Sequence, residues 1–97
     1  MREKDEVLNV YPDAIFLEDT HCYFGDGPGA KMPYMLCHAI SKELKSHCVN
    51  NRVVVDWWNW RDKIHLYPLS AFHATEEECW VEAAARVQNI VATILSD

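Results

Sequence analysis

Glycine is scarce in this chain. There are three in 97 residues, all inside Gly25-Asp26-Gly27-Pro28-Gly29. That cluster is turn chemistry. No Gly-Lys-Ser/Thr follows it and no GxGxxG spacing is present, so neither a Walker loop nor a dinucleotide-binding turn is expected. Long apolar runs are missing too. No stretch reaches the roughly eighteen residues that a membrane-spanning helix needs. The opening MREKDEV is charged where a secretory signal would be apolar, which predicts a cytoplasmic protein with reduced cysteines. Positive charge is in short supply: 9 Lys and Arg face 15 Asp and Glu, for a net charge of −6. An acidic surface repels phosphates, so direct nucleic acid binding is disfavoured and a basic partner is favoured.

The charge is uneven. Residues 1–30 hold two basic and seven acidic side chains, residues 31–52 four and one, and residues 53–97 three and seven. Hydrophobic residues make up 49%, enough for one globular αβ domain spanning 1–97. No internal repeat or low-complexity tract divides it.

Apolar periodicity predicts the elements. Glu3 to Tyr11 reads as a short helix with Val7, Leu8 and Tyr11 on one side, ended by Pro12. Ala14-Ile15-Phe16-Leu17 reads as a strand, and residues 18–33 as a connector. Tyr34, Cys37, Ile40, Leu44 and Cys48 recur at three and four residues, which predicts a second helix to about His47. RVVVDWW and KIHLYPL then read as two strands joined by Asn59-Trp60-Arg61-Asp62, with Pro68 closing the second or placing it at an edge. Thr75-Glu76-Glu77-Glu78 is a capping box. It opens a helix whose stripe is Trp80, Ala83, Ala84, Val87, Ile90, Val91 and Ile94. The expected fold is α+β: a three-stranded, mainly antiparallel sheet packed with two to three helices.

Chemistry is harder to find. His21-Cys22, Cys37-His38 and His47-Cys48 pair the two zinc-ligand types. If residues 34–47 are helical, however, Cys37 and Cys48 stand roughly 16 Å apart along the axis. No CxxC or HxxxH pair completes a site, so no metal or other cofactor is expected. Cys22 beside His21 lacks the surroundings of a catalytic nucleophile. Cys79 lies in a helix first turn, where the dipole favours a thiolate but the neighbouring glutamates oppose it. Glu18 and Asp19 form a carboxylate pair that any acidic protein could show. An enzyme is not expected.

The acidic residues of the last helix have a structural role available. Carboxylates suit a first turn, and Glu82 can pair with Arg86. They also offer a second role. Glu78 and Glu82 lie roughly 6 Å apart at their side-chain origins, close to the phosphate interval of one DNA strand. Together with Glu18, Asp19 and Asp26 on the connector, the residues Glu76, Glu77 and Glu82 form a candidate row of charges for a basic groove. Trp58 and Trp60, near the expected hairpin turn, are candidate anchors for an apolar partner.

From Thr75 to Val87 the chain resembles small phage- and prophage-encoded proteins in which a T-E-E-E-A-W-type start opens an alanine-rich helix. Cys79 stands where Ala is usual. The wider profile of an acidic chain of under a hundred residues, with no catalytic motif and a small αβ layer, is similar to the anti-CRISPR proteins. That resemblance implies an inhibitor in the cytoplasm of an infected bacterium. Its partner would be a type I Cascade-type surveillance complex, the I-F class included, whose target-DNA binding it blocks by acidic DNA mimicry. The alternatives are an intracellular interaction module using an exposed Trp and, behind it, a zinc-binding protein.

Overall fold

The structure is a computed structural model that describes residues 1–20, 32–39, 42–63 and 65–96, without the side chains of Ala39, Trp58 and residues 90–96. Its elements are α1 (Arg2–Val10), β1 (Ala14–Asp19), β2 (Tyr34–Ala39), α2 (Lys42–Ser46), β3 (Arg52–Val55), α3 (Trp57–Trp60), β4 (Leu66–Pro68) and α4 (Glu76–Ser96). They form an α+β fold around one sheet of four strands, ordered β3-β1-β2-β4. The β1–β2 and β2–β4 pairs are antiparallel and β1–β3 is parallel. No helix among the described residues is long and apolar enough to cross a membrane.

Strand alternation gives the sheet two apolar faces. On the first, Ala14 and Leu36 join Val7 of α1 and Trp80, Ala83, Ala84 and Val87 of α4, with Phe16 and Tyr34 at the rim. On the second, Ile15, Leu17, Met35, Cys37, Val53 and Val55 pack with Leu44 of α2, and Trp57, Trp60 and Phe72 close over them. Leu17, Leu36, Leu44 and Val53 are fully buried. Each such side chain contributes about 1.5–3 kcal/mol by leaving water.

Two expectations fail here. Residues 34–47 are not one helix but a strand followed by the short α2. Tyr34-Met35-Leu36-Cys37 is a continuous apolar run, and such a run fits a strand buried on both faces as well as it fits a helix. The five-residue register from Ala14↔His38 to Glu18↔Tyr34 decides in favour of the strand. The expected hairpin is also absent, because β3 and β4 lie at opposite edges of the sheet. Strand β3 stops at Val55 because Asp56 starts a helical turn. The Asp56 carbonyl accepts from Asn59 and Trp60, and its Oδ2 from Asn59 Nδ2 at 2.6 Å. The sheet thus has four mixed strands rather than three.

The tight turn lies instead at Val49–Arg52, where each residue's N–H donates to the other's carbonyl, at 2.9 and 3.0 Å. Asn50 and Asn51 between them have φ of 53° and 61°. Left-handed backbone at both central positions is what a two-residue turn of this kind requires, and Asn tolerates it. Beyond β4, residues 69–73 continue along β2. Ser70 Oγ accepts from the Leu36 N–H at 2.9 Å, and Tyr34 and His73 exchange backbone bonds at 3.2 and 2.8 Å. This stretch carries the chain to the start of α4.

Candidate functional site

At the start of α4 the N-cap half of the expected capping box is in place: Thr75 Oγ1 accepts the Glu78 N–H at 3.2 Å, and its hydroxyl donates to Glu78 Oε1 at 3.0 Å in place of a bond from the Thr75 N–H. Cys79, Trp80, Ala83, Ala84 and Val87 are buried, so Glu77, Glu78 and Val81 turn outward. The Ile90, Val91 and Ile94 part of the stripe lies outside the described side chains.

Glu82 is the organising carboxylate. Its oxygens accept the Ala71 N–H at 3.0 and 3.2 Å, meet His73 Nε2 at 2.6 Å, and pair with Arg86 one turn on. His73 Nδ1 lies 3.7 Å from Glu78 Oε2, so the imidazole sits between two carboxylates. Burial works to raise the pKa of Glu82 and is the largest single influence on it. The Ala71 N–H, His73 and Arg86 together outweigh burial and hold the carboxyl below its ordinary value. Glu82 therefore staples residues 71–73 to α4, and its charge is largely answered within the molecule.

Around it lies an open cleft of about 440 Å³ lined by His73, Thr75, Glu77, Glu78, Val81 and Glu82. Val81 is 50% exposed and supplies an apolar patch. Glu77 is exposed and has no ion pair among the described residues. A cationic side chain entering here could rest its methylenes on Val81 and direct its charge between Glu77 and Glu78.

The other expected site residues are scattered. Glu76 and Glu18 both pair with Arg52, Glu18 at 3.8 Å. The Arg52 guanidinium lies 5.6 and 5.7 Å from the Phe16 and Tyr34 ring centres, so these two carboxylates hold a cation in place over the first face. Asp19 is buried at 3% exposure and its Oδ1 accepts the Trp57 N–H at 3.3 Å, which ties β1 to α3. Asp26 lies outside the described residues. Trp60 is half-buried, packs on the second core cluster and meets His47 edge-on at 5.0 Å. The Trp58 side chain is outside the description. The structure therefore brings Glu77 and Glu82 to one cleft and Glu18 and Glu76 to one cation, Arg52, while Asp19 is buried against the start of α3.

Sequence reasoning missed His73. Its signal was positional: it sits two residues before the Thr75 cap, within reach of glutamates in the first two turns. Cys79 is buried and its thiol donates to the Tyr34 carbonyl at 3.3 Å. Burial pushes that thiol up, despite its place in a first turn. Among the described residues no group of three or more His, Cys, Asp and Glu is arranged to hold a metal ion. Compared with protein families, with curated proteins and with solved structures, the chain gives no match.

Proposed function

We propose that this chain is a binding protein that presents an acidic face to a basic groove. In the form the anti-CRISPR resemblance suggests, it is a phage-encoded inhibitor that occupies the DNA-binding surface of a type I surveillance complex. The observation that carries the reading is the cleft at the start of α4, where Glu77 and Glu78 flank exposed Val81. Net charge of −6 supports it, because long-range attraction steers such a face toward Lys- and Arg-rich surfaces.

The residues assigned to contact are narrower than the full acidic row. Glu77 is available to a partner, and Glu78 beside it is exposed although it also meets Thr75 and His73, whereas Glu18, Glu76 and Glu82 answer cations of the chain itself. Glu82 and His73 act by positioning the segment before α4.

A gel shift tests this. Purified surveillance complex is offered target DNA with and without the protein at low and moderate salt. The expected result is loss of DNA binding that fades as salt rises, and recovery of DNA binding with Glu77→Lys. Undiminished inhibition by Glu77→Lys, or inhibition indifferent to salt, counts against the acidic face and favours apolar docking. Full DNA binding with the wild-type protein present removes this mechanism for the complex tested.

A further inference from the structure

Four parts of the chain meet at one corner of the first face. Lys4 and Leu8, one turn apart, look the same way from α1, and Glu76 and Trp80 do so from α4. Ala14 and Phe16 alternate onto this face of β1. The Asn50-Asn51 turn is tied to β1 by the Phe16 N–H, which donates to the Asn51 carbonyl at 2.9 Å, and it brings Arg52 up beside them. All of these residues line one cleft of about 230 Å³. Phe16 and Trp80 meet edge to face at 5.3 Å, Lys4 Nζ lies 5.9 Å from the Trp80 ring centre, and the Arg52 guanidinium lies over Phe16. This cleft shares no lining residue with the acidic one.

The charges in its wall are not equally committed. Arg52 is answered by Glu18 and Glu76, so the Arg52–Glu76 pair forms a polar wall with little charge to spare. Lys4 is different. It is exposed, and its ammonium faces a ring rather than a carboxylate. Its neighbours Glu3 and Asp5 leave α1 about 100° to either side, and Glu6 is taken up by Arg2 and Gln88. We propose that this cleft binds a small aromatic carboxylate. The ring of the ligand rests on Leu8, Ala14, Phe16 and Trp80. Its carboxylate accepts from the Lys4 ammonium, and the exposed Asn50 and Asn51 amides are further donors in the same lining.

Size and charge select this class. An apolar cavity of about 150 Å³ is enough for a benzene ring, so this cleft has room for one ring and its carboxylate. It falls below the roughly 300–1,000 Å³ of sites that take drug-sized ligands. A ligand ring can meet Phe16 and Trp80 edge-on or offset, the contacts that aromatic pairs favour at about 4.5–7 Å between centres. The net charge of −6 repels a polyanion at long range. One unanswered lysine therefore suits a single carboxylate better than a phosphate.

The test is a titration of the full chain with sodium benzoate, read by NMR from amide and indole N–H signals. The expected result is saturable shifts of the Trp80 indole and of the Ala14, Phe16 and Asn51 amides, while Glu77 and Glu78 stay in place. Lys4→Gln, a change at an exposed position, should weaken benzoate about tenfold and leave the spectrum of the free protein otherwise intact. Asn50→Asp adds a negative charge to the lining with a residue that also tolerates φ of 53°, and should weaken benzoate as well. Benzyl alcohol has the ring without the charge and acetate the charge without the ring; each should bind about tenfold more weakly than benzoate or worse. Absence of a saturable shift at millimolar benzoate, equal affinity in Lys4→Gln, or benzylammonium binding as well as benzoate overturns the proposal.

Discussion

The two faces of the sheet are covered by different means. The first face lies under α1 and the 21-residue α4, and its core is a stripe of side chains repeating along those helices. The second face lies under α2 and α3, of five and four residues, which have no room for a stripe. It is closed by bulk instead: Trp57, Trp60 and Phe72 lie over Leu17, Cys37, Leu44 and Val53. Trp57 and Phe72 meet at 6.1 Å, and Trp60 leans on His47. Few residues can cover a wide apolar area when they are aromatic, since each buries about 150–250 Å². Long helices and short aromatic turns thus reach the same end.

If that equivalence is real, one leucine should matter equally on each side. Leu36→Ala on the first face and Leu17→Ala on the second should each cost about 3 kcal/mol in urea unfolding. A Leu17→Ala cost of less than half the Leu36→Ala cost would show that the short-helix face is the looser one. Next in size is Glu82→Gln, which weakens the staple between residues 71–73 and α4 and should cost about 2 kcal/mol at neutral pH. The sign of its pH dependence is fixed. Because the folded-state pKa of Glu82 is depressed, its stabilisation is present above the ordinary glutamate range. It is lost as pH falls from that range through the folded value. The gap between wild type and Glu82→Gln should therefore shrink on acidification, and a gap that widens would reverse the assignment.

Smaller again is Thr75→Ala. Loss of the cap should cost about 1 kcal/mol, read by thermal melting, with the first turn of α4 exchanging its amides faster. The smallest effect belongs to the turn that feeds the second face. Asn51→Gly, at φ 61°, should be neutral or stabilise by about 0.5 kcal/mol, since glycine takes positive φ without steric cost. Destabilisation by more than that would mean that the Asn51 side chain makes stabilising contacts of its own.

The same contrast explains what could be read from the chain. Helices α1 and α4 were legible because their signals are local. Val7, Leu8 and Tyr11 share a side, and Thr75 with Glu78 marks a start within four residues. The Glu82–Arg86 pair was legible for the same reason. The second face was not. Four- and five-residue helices show no period, and Tyr34, Cys37, Ile40, Leu44 and Cys48 imitate one across a strand-to-helix boundary. The parallel pairing of β3 with β1 depends on contacts between residues 16–19 and 52–55, which no short window contains. At the candidate site, Glu77 and Glu82 were recoverable from helix geometry. His73 was not, because its bonds reach across a turn. The duties of Glu18 and Glu76 were hidden in the same way, since their cation, Arg52, comes from a distant strand.

The edges of the sheet have a consequence for how such chains meet each other. On one side Pro68 stands in β4 opposite Cys37, where it has no N–H to offer a further strand. On the other, the Val49–Arg52 turn folds back against the start of β3 and occupies Arg52's N–H and carbonyl. A neighbouring molecule seeking to add a strand finds a missing donor at one border and a turn in its way at the other. Edge-to-edge strand pairing between copies, the route into fibrils, is thus hindered at Pro68 on one border and at Arg52 on the other.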